Sequence, residues 1–124
     1  MTWRIELPYT KPPISMNDRT HWAQKARLVQ QVRADTKILV RAFGIPPQPR
    51  VSICLHYIPK DKRRRDPLNL VATLKAVEDG CVDAGLIPDD TPAFLEPTMP
   101  VIDEPDRTPK LMRRLYLVIT PLEP

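Results

Sequence analysis

Cations and carboxylates lie close together between residues 60 and 90, and phosphodiester cleavage requires both. The segment opens with the basic run Lys60-Asp61-Lys62-Arg63-Arg64-Arg65, continues with Asp66-Pro67-Leu68-Asn69-Leu70 and reaches Asp89-Asp90 further on. Cationic side chains hold phosphates, and carboxylates hold the metal ions that many nucleases use. A solvated surface of mixed charge has the same composition. The pattern nevertheless favours a nuclease site, and we take that as the first hypothesis.

Each residue of this segment also has an ordinary structural interpretation. Asp66 directly precedes Pro67, a pair typical of a helix N-cap and first helical residue. Lys75 and Asp79 are spaced as a common i,i+4 ion pair. A helix of about 18 residues spans roughly 27 Å, so Asp66 and Asp90 would be too far apart to share one metal ion. Either the loop after the helix returns along it, or the two carboxylates belong to different sites.

Composition limits the classes of protein to which this chain can belong. Its 124 residues predict a single domain over 1–124, and the 19 Lys and Arg against 15 Asp and Glu give a net charge of +4. Such a balance favours a polyanionic partner over an acidic or membrane one. Cys54 and Cys81 are too few for a disulfide scaffold and lack zinc-site spacing. No signal peptide or membrane span is evident, so we expect a cytoplasmic protein.

Sixteen prolines against three glycines mark where regular elements end. The first proline-free window, 14–45, predicts a long helix with Asn17 or Asp18 as N-cap and Gly44 as its stop. Its predicted buried face comprises Trp22, Ala26, Val29, Val32, Thr36, Leu39, Val40 and Phe43. The basic residues Arg33, Lys37 and Arg41 repeat beside that face. They would either follow a nucleic-acid backbone or keep the helix solvated, and the second interpretation is favoured for this stripe alone.

The second window, 68–87, predicts another helix that begins after Asp66 and ends near Gly85, with Leu70, Leu74, Val77 and Cys81 buried. Alternating apolar residues predict strands around residues 3–7, 51–57 and 115–119. Pro97 and Pro100 restrict any strand in 93–102 to a sheet edge or a bulge. The order strand-helix-strand-helix-strand-strand predicts an α+β fold, a mixed sheet with both helices on one face.

The central motifs resemble those of the RusA family of Holliday-junction resolvases. That family carries a basic run, an Asp-x-Asp-Asn-Leu signature, a helical Lys with an Asp four residues on, and an Ala-Gly followed by Asp-Asp. The matching residues here are Arg63-Arg64-Arg65-Asp66-Pro67-Leu68-Asn69-Leu70, Lys75, Asp79, Ala84-Gly85 and Asp89-Asp90. The lead Pro12-Pro13-Ile14-Ser15-Met16-Asn17 is also similar to the family's entry into its first helix.

The resemblance implies a homodimeric, Mg²⁺-dependent endonuclease that makes paired nicks in four-way DNA junctions. Asp66, Lys75 and Asp90 would be the catalytic residues. Mg²⁺, with Mn²⁺ as a substitute, would be held by Asp66 and Asp90 together with Asp89. The DNA-binding residues would be Lys62, Arg63, Arg64 and Arg65. Asn69 and Asp79 would orient their neighbours.

One departure from the family pattern concerns Leu68, which stands where the signature has its second Asp. The spacing from Asn69 to Lys75 is also longer than in the best-known members. Asp89, Asp79 or Glu78 would then supply the missing charge, or the protein would bind branched DNA with weak or no cleavage. A small dimeric interaction protein with a merely solvated basic surface is the third hypothesis.

Overall fold

The computed structural model describes residues 1–14 and 21–124, so the predicted N-caps Asn17 and Asp18 lie outside the described residues. These described residues form two α-helices and five strands. In chain order these are β1 Trp3–Leu7, α1 Trp22–Phe43, β2 Val51–Tyr57, a 3₁₀-helix Pro67–Leu70, α2 Val71–Asp83, β3 Leu95–Glu96, β4 Val101–Ile102 and β5 Leu115–Pro121. The predicted α+β class is confirmed, with one more short strand than expected.

The five strands form one mixed sheet. β5 lies between β1 and β2 and runs antiparallel to both, while β3 and β4 pair in parallel with β2 along its other edge. β3 pairs with the beginning of β2 and β4 with its end, because the segment with Pro97 and Pro100 interrupts the ladder between them. The prediction that any strand in this segment lies at an edge is therefore confirmed.

Both helices cover one face of this sheet. In β2, alternate residues from Val51 to Tyr57 are buried, and they share a core with Val32 and Val40 of α1 and with Val77 of α2. Alternation at period 2 in the strands and at about 3.6 in the helices places these apolar side chains in one layer. The core therefore lies between the sheet and the helix pair.

The predicted buried face of α1 is correct only in its middle. Val32, Thr36 and Val40 are buried, whereas Trp22 is 76% exposed and Phe43 is 50% exposed. Trp22 is the first residue of α1, and Phe43 is its last, so both lie beyond the middle of the helix, where α1 packs on the core. Helical periodicity predicts which side of a helix is apolar, but it does not predict how far along the helix a neighbour extends.

The basic stripe on α1 connects the two helices. The Arg33 guanidinium donates two hydrogen bonds to the Asp83 carboxylate, at 3.0 and 2.9 Å, and Arg41 donates to the Asp83 carbonyl oxygen at 3.4 Å. The helices pack tightly at Gly80, where an added Cβ would lie 2.7 Å from Thr36 Cβ and 2.8 Å from the Arg33 carbonyl oxygen. These contacts give Arg33 and Arg41 a structural role.

The start and the end of the second helix follow the prediction. Asp66 is the N-cap of the 3₁₀-helix, and its carboxylate accepts a hydrogen bond from the Leu68 amide at 3.0 Å. α2 then ends at Asp83, two residues before Gly85. Gly85, with φ of 85°, reverses the chain, and the Gly85 and Leu86 amides donate to the carbonyl oxygens of Val82 and Cys81. Neither helix of the described part of the chain is long and apolar enough to cross a membrane.

Candidate functional site

Lys75 is the centre of a charged group that we call the Lys75 cluster, formed by Lys75, Glu78, Asp79 and Asp90. The Lys75 ammonium lies 3.1 Å from Asp79 Oδ1, one turn along α2, and also donates a hydrogen bond to Asp90 Oδ2. The lysine side chain is 57% exposed, and the two Asp side chains are 24% and 27% exposed. Three of the residues selected from the sequence therefore meet at one solvent-accessible point.

The loop after α2 brings Asp90 to Lys75. The turn at Gly85 reverses the chain, and Leu86 and Ile87 are 1% and 2% exposed, so their burial holds the returning segment against the core. Asp89 accepts a hydrogen bond from the Asp90 amide at 2.8 Å, which fixes the backbone just before the cluster. The loop therefore returns along α2 and carries Asp90 to Lys75, but it does not bring Asp90 to Asp66.

Mutual pairing keeps the central ions of the cluster charged. The hydrogen bond to Asp90 raises the pKa of Lys75, and the same bond lowers the pKa of Asp90. Glu78 behaves in the opposite way, because burial raises the pKa of its carboxyl to about 7. Near neutral pH Lys75 therefore stays protonated and Asp90 stays ionised, while Glu78 keeps its proton to a higher pH than an ordinary glutamate does.

Asp66 lies in a different part of the molecule. It lines a cavity of about 730 Å³ together with Asn69 and Arg64. Asp66 precedes the 3₁₀-helix, and Lys75 lies in the second turn of α2, so the two residues are about 15 Å apart along the helix axis. Leu68, the residue that departs from the family signature, has a 53% exposed side chain beside Asp66. The three predicted catalytic positions thus divide into Lys75 with Asp90 on one side and Asp66 on the other.

The donor chemistry of the Lys75 cluster suits Mg²⁺, which takes oxygen ligands, often one or two carboxylates with waters and phosphate oxygens. Asp79 and Asp90 offer such oxygens where they meet at Lys75. Within residues 1–14 and 21–124, no group of three or more His, Cys, Asp or Glu side chains is arranged to hold a metal ion. Asp66, Asp89 and Asp90 do not form such a group there, and their assignment as ligands remains a prediction.

Asp66 opens into a surface that we call the basic cleft. The cavity that it lines adjoins a second one of about 900 Å³, and the two share Lys11, Tyr57 and Arg65 in their walls. The charged residues that line the two cavities are Lys11, Lys60, Asp61, Arg63, Arg64, Arg65, Asp66, Arg107 and Arg114. Cations outnumber carboxylates, so the cleft has a positive potential suited to an anionic ligand.

The predicted DNA-binding residues differ in their placement. Arg63 and Arg64 are exposed and line the cleft, whereas Lys62 is exposed but is not part of its lining. The side chain of Arg65 is only 19% exposed and pairs with Asp61 at 2.9 Å. It also donates to the carbonyl oxygens of Asp61 and Arg63, at 2.9 and 3.0 Å. Arg65 therefore holds the loop in shape, and its neighbours are left to contact a ligand.

Sequence reasoning did not assign Lys11, Lys60 and Arg107 to this surface. Lys60 belongs to the basic run of the sequence, so its proximity to Arg63 was a usable signal. Lys11 and Arg107 lie about fifty residues before and forty residues after that run, and only the fold brings them to it. No motif links residues at such separations.

Comparison with known proteins gives a distant relative and no family. No family model matches the chain. The sequence is similar to an uncharacterized protein of Xylella fastidiosa (strain Temecula1), with 28% identity over 85 residues. The match covers 64% of this chain and 56% of the relative, so it spans little more than half of the relative's length. The resemblance to resolvases therefore rests on the motifs in the sequence.

Proposed function

We propose that this protein is a Mg²⁺-dependent endonuclease that cleaves phosphodiester bonds in branched DNA, with the four-way junction as its substrate. The observation that carries the proposal is the Lys75 cluster, in which a lysine is held between carboxylates from α2 and from the returning loop. The same helix is preceded by Asp66 in the basic cleft. Phosphodiester hydrolysis requires such a fixed cation and carboxylates near a surface that holds phosphates.

Lys75 has the clearest role in this chemistry. Its ammonium is kept protonated by Asp90 and Asp79, so it would stabilise the negative charge that develops on the phosphate or on the leaving oxygen. Because two carboxylates hold it in place, little reorganisation is needed when that charge appears. Asp79 would act as a positioning residue. Arg63 and Arg64 would hold flanking phosphates and set the register of the DNA without reading its bases.

Asp90 would hold Mg²⁺ at the Lys75 cluster, with Asp89 as a second ligand predicted from the family pattern and Mn²⁺ as a substitute ion. Asp66, about 15 Å from Lys75 along the helix axis, would not share that ion. When bound, the ion would supply an activated water and screen charge on the phosphate. Two copies of the chain would be needed to cut two strands symmetrically, so we also propose a homodimer. Both cysteines are free, and we propose a cytoplasmic location, where thiols remain reduced.

A second function, binding of branched DNA with weak or no cleavage, is favoured by one observation. Leu68 replaces a family carboxylate, and Asp66 has no group of metal-binding side chains around it among the described residues. The basic cleft does not depend on the carboxylate that Leu68 replaces or on a metal site at Asp66. A protein of this kind would retain salt-dependent binding to junctions and lack the nicks.

Incubation with labelled DNA distinguishes the hypotheses. The purified protein is mixed with a four-way junction or with a linear duplex of equal length, with no divalent ion, with Mg²⁺ or with Mn²⁺. We expect paired nicks in the junction only when a divalent ion is present, and little cleavage of the duplex. Tight junction binding without nicks at any Mg²⁺ or Mn²⁺ concentration would support the second function. Equal, weak affinity for both DNAs would support the solvated-surface hypothesis.

A further inference from the structure

We propose that the basic cleft is a track for the phosphodiester backbone of a nucleic acid, in which Lys11, Lys60 and Arg107 contact phosphates. Arg65 and Arg114 act as positioning residues that shape the track. The inference deepens the proposed function, since it rests on nucleic acid being the substrate, but it does not require that the chain cleaves it. It extends the predicted contact surface from the run at 62–65 to residues far from it in sequence.

The charge of the cleft supports a polyanionic ligand. Within 1–14 and 21–124 its lining has seven Lys and Arg against two Asp, whereas the whole chain has 19 against 15. The remainder of the molecule therefore has 12 Lys and Arg against 13 Asp and Glu. All of the excess positive charge is concentrated at this surface, where it raises the local concentration of anions and steers them inward.

Two of the seven cations, Arg114 and Arg65, make hydrogen bonds or ion pairs within the protein itself. Arg114 is 7% exposed and donates to the carbonyl oxygens of Ile58, Asp106 and Thr108, at 3.2, 2.9 and 3.0 Å. Arg65 is held by Asp61 and by neighbouring carbonyl oxygens. Carbonyl oxygens satisfy the donors of Arg114 without cancelling its charge, so it adds to the potential of the cleft while it holds the surrounding loop.

The segment that carries Arg107 is fixed at both ends. At its start, the Asp103 carboxylate accepts a hydrogen bond from Tyr116 and lies 2.8 Å from His56 Nδ1. At its end, Arg114 ties the segment to the end of β2 through Ile58. Arg107 itself is exposed. A cation on a segment whose backbone is already ordered loses less entropy on binding than one on an unrestrained loop.

The lining indicates contact with the backbone of the nucleic acid and not with its bases. Among the residues that the structure describes, Tyr57 is the one aromatic residue in the lining of the two cavities, and at 8% exposure it offers no face on which a base can stack. Cations without a stacking platform are typical of sequence-independent phosphate contacts.

The test compares two double variants that each lose two positive charges. Lys60→Gln/Arg107→Gln changes the cleft, and the control Lys25→Gln/Arg27→Gln changes α1. Binding to a labelled four-way junction is followed by fluorescence anisotropy from low to high salt, without divalent ions. For the cleft variant we expect the slope of log K against log [salt] to become shallower by about 2, and the affinity at low salt to fall about tenfold or more. The control should match the wild type.

The outcomes separate this inference from the proposed function. Equal slopes of log K against log [salt] for the two double variants would contradict the proposed phosphate track, even if the wild type cleaves junctions. If the cleft variant shows the expected shallower salt slope but the wild type never cleaves junctions, the phosphate track is supported and the proposed nuclease activity is contradicted. Displacement of the DNA by poly-glutamate as readily as by unlabelled oligonucleotide of equal charge would instead assign the cleft to an acidic protein segment. A circular-dichroism melt shows whether the cleft variant is folded, and Lys11→Gln provides an independent substitution.

Discussion

The Lys75 cluster and the basic cleft have the same types of residue and opposite electrostatic organisation. In the cluster, one lysine is shared by Asp79 and Asp90, so charges of both signs are neutralised within the protein. In the cleft, seven cations face two carboxylates, so most of the positive charge has no acidic counterpart in the lining. The first arrangement holds a side chain in a fixed position. The second attracts a ligand from outside.

From this difference we expect that one continuous helical segment serves substrate binding at its start and the chemical step further along. The 3₁₀-helix that leads into α2 begins at Asp66 in the cleft, and Lys75 lies further along the same continuous segment. Substrate held in the cleft by phosphate contacts would therefore be presented beside a rigid element that also carries the fixed cation. Substitutions in the cluster should affect the chemical step, and substitutions in the cleft should affect binding.

The largest expected effect is on cleavage, from Lys75→Met. Loss of the fixed cation should lower the single-turnover rate of junction cleavage by about 10²- to 10³-fold. Junction affinity should remain within about twofold of the wild type, because Lys75 is not part of the cleft. Lys25→Met on α1 serves as the matched control and should retain both properties. A parallel loss of binding in Lys75→Met would remove the distinction between the two regions.

Leu68→Asp sharpens the comparison by restoring the carboxylate that the family signature contains. The side chain is 53% exposed, so the substitution should be tolerated by the fold. If the missing carboxylate limits metal binding, the cleavage rate at limiting Mg²⁺ should rise by about tenfold. Leu68→Asn is polar and of similar size but lacks the charge, and it should leave the rate unchanged. An equal gain in both variants would argue against the carboxylate as the cause.

Arg65→Met tests whether this arginine shapes the cleft. Removing its hydrogen bonds to the carbonyl oxygens of Asp61 and Arg63 should lower the free energy of unfolding by about 1 kcal/mol. The exposed neighbour, Arg64→Met, should leave stability within about 0.5 kcal/mol of the wild type and weaken DNA binding alone. Denaturant titration provides the unfolding free energies. The reverse ranking of the two variants would show that Arg65 is a ligand contact and not a positioning residue.

The smallest effect is expected from Glu78 and depends on pH. Its folded-state pKa of about 7 lies above the ordinary 4.5, so within this window the native state binds a proton that the unfolded chain has released. Its contribution to stability therefore falls as pH rises from 4.5 to about 7 and is constant above that. Glu78→Gln should remove this pH dependence in urea titrations across this range, and the exposed control Glu123→Gln should not.

Periodicity and proline placement were sufficient for much of the fold. Alternation in 51–57 predicted β2, and the Asp66-Pro67 pair predicted where the second helix begins. The exposure of Trp22 was not predictable, because the pattern within a helix contains no information on where its neighbours end. The end of α2 at Asp83 depends on the turn that Gly85 allows, and the glycine predicted this end correctly.

The candidate site was predictable in part. The Lys75 and Asp79 pair follows from helical spacing, but the return of Asp90 depends on the burial of Leu86 and Ile87, which is a tertiary effect. The separation of Asp66 from Lys75 follows from helix geometry once the helix is placed. Arg107 reaches the cleft only because Arg114 and Asp103 fix its segment, and neither of these contacts is evident in the sequence.

The most direct test of the central claim compares Asp90→Asn with the wild type on a labelled four-way junction in Mg²⁺, at protein concentrations that saturate binding. The substitution keeps the shape of the side chain and removes the charge that holds Lys75. The account predicts cleavage reduced by at least 10²-fold with junction affinity unchanged, since Asp90 lies outside the cleft. Cleavage at the wild-type rate by Asp90→Asn would contradict the assignment of the Lys75 cluster as the catalytic site.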